Sequence, residues 1–310
     1  MSAKIVITDW GFPTLDPERS VFEGKGVELL EYQCKSEEDV ARVVAEADVV
    51  MAQWAPVRAT AMAAMSRCKG IVRYGIGLDN IDLEEARKKG IPVRNVPDYC
   101  VDEVADHTMA LVLAAQRQVV SVFQRLKEGT WKITPPLALL PLRQSVLGLV
   151  GFGRIGRLVA GRARAFEMTV LVSDPVVPES DLRQSGAAPA AFDRIIRESD
   201  VISLHCPLNE KTRHLINAST LRQMKSTAIL VNTSRGGLVD LDAVVEALQS
   251  GVIAGAALDV FEQEPLSAGH KFLTLPNAIA TSHIAWYSSA SIQELQRRAA
   301  LLALELLQKT

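Results

Sequence analysis

The chain has no cluster of cations. Its 34 Lys and Arg residues are interleaved with 36 Asp and Glu, for a formal charge of -2. Binding a phosphate backbone needs clustered positive side chains, so nucleic acid is not an expected partner. No apolar run approaches the roughly 20 residues that a membrane-spanning helix requires, so no membrane is expected either. The N-terminal stretch AKIVITDW reads as a short strand stopped by Asp9, not as a secretory leader. Four cysteines, Cys34, Cys68, Cys100 and Cys206, form no CxxC pair and no metal-ligand cluster. They read as buried thiols in a reducing compartment, so the expectation is a cytoplasmic protein without a metal. No solenoid-period repeat and no low-complexity tract interrupts the chain. What is present is ordinary for a globular protein, with 48% hydrophobic and 23% charged residues. At 310 residues the chain is long for one core and fits two domains.

Short β-branched runs alternate with helical patterns throughout, which predicts an α/β fold of doubly wound parallel sheets. Lys4–Thr8, the Val27–Tyr32 region, Asp48–Ala52, Gly70–Tyr74 and Ile91–Asn95 read as strands. Ser36, with Asp39 three residues on, reads as a helix cap. Val96-Pro97-Asp98 breaks the pattern, and a long helix begins near Val101. Residues 129–143, with Pro135, Pro136 and Pro141, read as an extended loop. Further strands are predicted at Val201–His205, Ala228–Asn232, Ala254–Ala257 and Ala278–Ala280. The last helix, Ser289 to Leu307, sets Ile292, Leu295, Ala299, Leu302 and Leu306 on one buried face.

The most informative segment is VLGLVGFGRIG followed by VLVSDP. An apolar run ends at Val150 and leads into Gly151-Phe152-Gly153-Arg154-Ile155-Gly156. A helical stretch follows, then a second run, Thr169 to Ser173, that stops at Asp174. This is the pattern of a dinucleotide-binding strand–turn–helix–strand unit. The first glycine permits a tight turn and the second lets the backbone approach a pyrophosphate. The third seats the helix on the strand, and the helix N-terminus offers N–H groups and a positive dipole end. Asp174, 18 residues beyond Gly156, stands where a carboxylate accepts ribose hydroxyls and repels a 2′-phosphate. No arginine follows it directly, which favours NAD over NADP.

Three polar residues stand just beyond predicted strands, where open α/β sheets place ligands: Arg235 after ILVNTS, Glu264 in ALDVFEQEP and His283 in IATSHIAW. Singly, each has a plain structural explanation: a solvated loop Arg, a turn Glu before Pro, a structural His. Beside a nicotinamide site the combination reads differently, because hydride transfer at a hydroxylated carbon needs a group that takes or gives a proton. His107, His214 and His270 read as structural.

The segments YGIGLDNID, VPDYCVDEVADHTMALVL, GFGRIG, SLHCPLNEKTRHLIN, LVNTSRGGLVD, ALDVFEQEP and SHIAW, spanning about 71 to 286, resemble the D-isomer-specific 2-hydroxyacid dehydrogenases. The resemblance implies two Rossmann- or flavodoxin-like domains separated by a cleft. Residues 1–98 and 284–310 would bind substrate, and 99–283 would bind NAD. It implies a catalytic trio in which His283 is acid and base, Glu264 orients it, and Arg235 binds the substrate carboxylate and C2 oxygen. Phe152–Ile155 would contact the pyrophosphate and Asp174 the ribose. His205, Cys206, Pro207, Thr212, Asn232, Thr233 and Ser234 would line the nicotinamide half, and Asp259 would meet the carboxamide. Backbone N–H groups of Tyr74, Gly75, Ile76 and Gly77 would hold the substrate carboxylate, with Trp54 and Trp286 beside its side chain. A small 2-hydroxy or 2-keto acid is then the partner, together with a second copy of the chain paired through the Val101–Arg117 helix and the loop near Trp131. HIAWYS and VRYGIGLDNID look most like the C-terminal-binding-protein branch, a hint of an apolar substrate tail. The alternatives are a D-3-phosphoglycerate dehydrogenase, with Arg58 and Arg73 as cations for the phosphate, and an NAD(H)-sensing corepressor-like binding protein. The formate dehydrogenases carry glutamine where Glu264 stands, which argues against that branch.

Overall fold

A computed structural model describes residues 2–132 and 139–308. The chain divides into two compact units, Met1–Tyr99 with Ser288–Thr310, and Cys100–Tyr287. Pro135 and Pro136 of the expected loop lie outside the described residues.

In the first unit, strands β1 (Ala3–Ile7), β2 (Val27–Glu31), β3 (Val49–Ala52), β4 (Gly70–Arg73) and β5 (Val93–Asn95) pair in parallel. Their order is β2-β1-β3-β4-β5, that of a flavodoxin-like sheet. Helices α1 (Asp16–Phe22), α2 (Glu37–Val43), α3 (Ala59–Ala64) and α4 (Leu83–Lys88) connect the strands. Ser36 does cap α2: its hydroxyl accepts the Asp39 N–H, and the Asp39 carboxylate accepts the Ser36 N–H. β3 is buried at every position, as a central parallel strand covered on both faces must be.

The second unit opens with α5 (Val101–Gln116) and α6 (Val119–Lys127). The helix expected at Val101–Arg117 is α5, while α6 was not expected; Gln118, at φ +52°, separates the two. There follow β6 (Val146–Val150), α7 (Arg154–Ala165), β7 (Thr169–Ser173), α8 (Glu179–Gln184), β8 (Ala188–Pro189) and α9 (Phe192–Glu198). The rest comprises β9 (Val201–Leu204), α10 (Ala218–Leu221), β10 (Ile229–Asn232), α11 (Leu241–Gln249), β11 (Gly255–Leu258) and β12 (Ala278–Ala280). These seven parallel strands run β12-β11-β10-β9-β6-β7-β8. The direction of winding reverses between β6 and β9, the Rossmann switch point at which ligands bind. β9, β10 and β11 are fully buried. The short β8 ends the sheet with Pro189, which has no N–H to give a further strand.

The terminal helix α12 (Ser289–Gln308) belongs to the first unit. It buries Ile292, Leu295, Ala299 and Leu306 as its spacing predicts, but Ala303 replaces Leu302 as the fully buried residue of its last turns.

Candidate active site

The glycine motif joins β6 to α7 at the switch point. Gly151 has φ +99°, and a Cβ there would fall 2.6 Å from the His205 carbonyl carbon, so this turn admits only glycine. A Cβ on Gly156 would meet the Gly151 carbonyl oxygen at 2.6 Å, which explains the close seating of α7. Gly153 differs: a Cβ there would touch nothing within 4 Å. The protein therefore demands Gly151 and Gly156 for its own packing, while the space over Gly153 fits a pyrophosphate. Gly153 caps α7 without a side-chain hydrogen bond, and the first-turn N–H groups of Arg154, Ile155 and Gly156 point out of the helix end. Phe152 offers no such donor, contrary to expectation. Its ring is fully buried and its N–H is donated to Asp174 Oδ2 at 2.7 Å. Asp174 also accepts the N–H groups of Val176 and Val177 through Oδ1. Burial works to raise the Asp174 carboxyl, but these three donors, with the nearby Arg157 guanidinium, outweigh it and hold the group below its ordinary value. Three of about four acceptor positions are thus filled internally, and the half-buried carboxylate keeps one open.

Glu264 and His283, 19 residues apart, meet with Nδ1 of the imidazole 2.7 Å from Oε2. Glu264 Oε1 accepts the Phe261 N–H at 2.8 Å. Partial burial pushes the Glu264 carboxyl up, but its bond to His283, the Phe261 N–H and the charge of Arg235 bring it below the ordinary carboxylate value. A carboxylate only accepts, so the proton of this pair resides on Nδ1, and Nε2 is the nitrogen left to exchange a proton with a ligand. Arg235 stands at the end of β10, its carbonyl held by the Asn232 amide and its guanidinium donating to the Ser234 carbonyl. Gly236 lets this loop lie against the one bearing Glu264: a Cβ there would overlap the Phe261 carbonyl carbon at 1.9 Å.

The family described as D-isomer specific 2-hydroxyacid dehydrogenase, NAD binding domain, matches residues 109–285, more than half of the chain. The chain belongs to the D-isomer-specific 2-hydroxyacid dehydrogenases. It is 42% identical over 251 residues to a glyoxylate reductase of Korarchaeum cryptofilum, covering 80% of this chain and 75% of that one. It is 42% identical over 278 residues to a hydroxypyruvate reductase of Thermotoga maritima, covering 88% and 86%. The D-lactate dehydrogenase from Aquifex aeolicus, solved with NAD and lactic acid, superposes with a TM-score of 0.89 at 30% identity over 98% of this chain and 95% of that one.

In this dehydrogenase, residues expected around the nicotinamide lace the ends of β9 and β10. Ser234 donates its hydroxyl to the Cys206 carbonyl at 2.8 Å, and Thr212 to the Pro207 carbonyl at 2.7 Å. Thr212 is spent within its own loop. Burial pushes the Cys206 thiol up to about 11 and the His205 imidazole down to about 4, so both are neutral near pH 7. Thr233 is buried and shares a hydroxyl bond with Thr108.

Asp259 departs most from expectation. Its oxygens accept the Thr281 hydroxyl and the N–H groups of Ile284 and Ala285, and because it is fully buried the side chain is not presented to a carboxamide. Its carbonyl accepts the His283 N–H at 2.8 Å. Asp259 thereby grips three successive N–H groups and holds His283 at φ +54°, a backbone state rare for a non-glycine residue. Trp286 belongs to the same brace: its indole N–H donates to the His283 carbonyl at 2.7 Å.

In the first unit, Tyr74 and Gly75 give their N–H groups to Ala52 and Arg73, and the Tyr74 ring is buried against Phe12. Neither is a donor for substrate. Among the described residues no protein acceptor takes the N–H groups of Ile76 and Gly77, while the Gly75 and Ile76 carbonyls accept from Val96 and Asn95. Trp54 stands beyond β3 at the switch point of its sheet, 56% exposed, with its ring edge over Gly11. Sequence reading missed the Phe261 N–H and the Asp259 brace, since neither backbone donors nor a buried carboxylate has a motif.

Proposed function

We propose that the dehydrogenase reduces a short 2-keto acid, of the size of glyoxylate or hydroxypyruvate, to its D-2-hydroxy acid. The observation that carries this reading is the His283–Glu264 pair, with Nδ1 committed to the carboxylate, Nε2 left to act and the Arg235 loop packed alongside. The relatives named above supply the substrate size. A bound reduced nicotinamide supplies the hydride for C2. Gly153, Arg154, Ile155 and Gly156 would hold its pyrophosphate, and Asp174 one ribose hydroxyl. His283 delivers its Nε2 proton to the C2 oxygen as the alkoxide develops, and Glu264 stabilises the imidazolium before and during that transfer. Arg235 binds the carboxylate and polarises the carbonyl. The ionised Asp174 favours NADH over NADPH by repelling a 2′-phosphate.

A second copy of the chain is the partner proposed for α6. That helix buries none of its residues and exposes Val119, Val122, Phe123 and Leu126, with Trp131 beyond them.

The test is NADH oxidation at 340 nm with glyoxylate, hydroxypyruvate, pyruvate, phenylpyruvate, 4-methyl-2-oxopentanoate and 3-phosphohydroxypyruvate, repeated with NADPH. Turnover of the small acids is expected. A preference for the phosphorylated acid would point to D-3-phosphoglycerate dehydrogenase and to Arg58 or Arg73. NADH binding without turnover would replace the enzyme reading by a nucleotide-sensing one.

A further inference from the structure

The tripeptides Thr233-Ser234-Arg235 and Thr281-Ser282-His283 repeat one arrangement, a threonine two residues before a site residue at the end of a strand. Both threonines are held by the same helix, through adjacent residues. Thr108 of α5 lies 2.8 Å from the Thr233 hydroxyl, and His107 Nε2 lies 3.0 Å from the Thr281 hydroxyl.

The direction of each bond follows from its neighbours. Thr108 donates to the Val104 carbonyl at 2.7 Å, so Thr233 is the donor between the two threonines. Thr281 donates to the Asp259 carboxylate, which only accepts, so Thr281 accepts from His107 and His107 carries its proton on Nε2. Thr108, Thr233 and Asp259 are buried, so water cannot substitute for a lost partner without cost. The His107 arm continues: Thr281 to Asp259, and Asp259 to the N–H groups of His283, Ile284 and Ala285.

We propose that α5 is a yoke that sets the spacing of the two halves of the active site. His107 positions His283 through Thr281 and Asp259, and Thr108 positions Arg235 through Thr233. Neither is a catalytic residue; each is a positioning residue acting on one arm. The proposal rests on the functional reading of Arg235 and His283 given above. It goes beyond that reading in assigning separate control of proton transfer and of carboxylate binding to two neighbouring residues of one helix.

Because the arms are separate, their variants should fail differently. His107→Phe removes the donor to Thr281 and is expected to lower kcat about tenfold with KM within about twofold, since small misplacement of a reacting group is costly. Thr108→Val keeps the shape but removes the hydroxyl. It is expected to raise KM for the keto acid, and the Kd for oxamate in the NADH complex, about tenfold with kcat within about twofold. His107→Gln and Thr108→Ser restore a donor and a hydroxyl respectively and should recover most of each loss. A readout independent of turnover is the downfield proton shared by His283 Nδ1 and Glu264 in histidine-labelled protein. It should broaden or vanish in His107→Phe and persist in Thr108→Val. Equal loss of kcat and KM in both variants, no rescue by the conservative replacements, or an unchanged proton resonance in His107→Phe would overturn the yoke. A wild-type enzyme silent on every keto acid would instead overturn the functional reading, and the resonance would still decide between the arms.

Discussion

Two residues show how neighbours, more than identity, decide what a side chain does here. His205 and His283 are both histidines beyond strand ends, yet His205 is dehydrated and held neutral, with its pKa pushed down to about 4. Its folded value lies below the unfolded one, so its contribution to stability is complete above pH 6.5 and is lost as the pH falls towards 4. The unfolded chain takes up a proton there that the folded chain refuses. The loss amounts to at most about 3 kcal/mol. Thermal melts of His205→Gln across pH 7 to 4 should therefore show a shallower decline than the wild type; parallel declines would remove His205 as the cause. His283 is governed instead by what grips its backbone. Trp286→Phe keeps an aromatic ring and deletes the donor to the His283 carbonyl, at a cost of about 1 kcal/mol in stability. Its activity should fall mainly in kcat, measured with the best keto acid at saturating NADH. A change confined to KM would return Trp286 to the substrate pocket.

At the level of elements, the strand–turn–helix around β6 and α7 was legible because each of its glycines answers to a distinct local demand. Gly151 and Gly156 are required by protein packing, whereas Gly153 faces open space. Gly151→Ala is accordingly expected to lower Tm by several degrees and to cost dinucleotide binding as a consequence. Gly153→Ala should leave Tm within about a degree and weaken NADH binding roughly tenfold, about 1.4 kcal/mol, by intruding on the ligand alone. Calorimetry and fluorescence titration separate the two, and a matched fall in Tm would show that Gly153 too serves packing. Arg235, Glu264 and His283 stand beyond predicted strands, but only the family resemblance joined them into one site. What could not be read was which acceptors the fold spends on itself. The Asp174 and Asp259 carboxylates look alike in sequence, each at the end of a strand. Each accepts three donors of its own fold, but Asp174 is half-buried while Asp259 is fully enclosed by Thr281, Ile284 and Ala285. The end of α5 was read at Arg117, but not the second helix α6 that follows once Gln118 takes the left-handed conformation.

For the whole molecule, the consequence of that break is a helix that none of the described residues of its own unit buries. In the nine-residue α6 every apolar side chain is exposed, and Val119, Val122, Phe123 and Leu126 fall on one stripe, a contiguous apolar patch rather than scattered single residues. Phe123 is 57% exposed and Trp131 84%. Fully covering a large apolar side chain is worth about 2 kcal/mol, and the partial exposure of Val119, Val122, Phe123, Leu126 and Trp131 together supplies part of what a stable symmetric pair requires. The second copy proposed above meets that need, because an isologous contact places the same helix on both sides of the axis. Phe123→Asp puts a charge on the patch without touching a buried residue, so folding should be unaffected and association should fail. Light scattering on the eluting peak should give twice the chain mass, 33.7 kDa, for the wild type and the single-chain mass for Phe123→Asp, with unchanged melting at high dilution. A wild-type monomer would leave α6 to a different partner, and a Phe123→Asp dimer would move the interface elsewhere on the second unit.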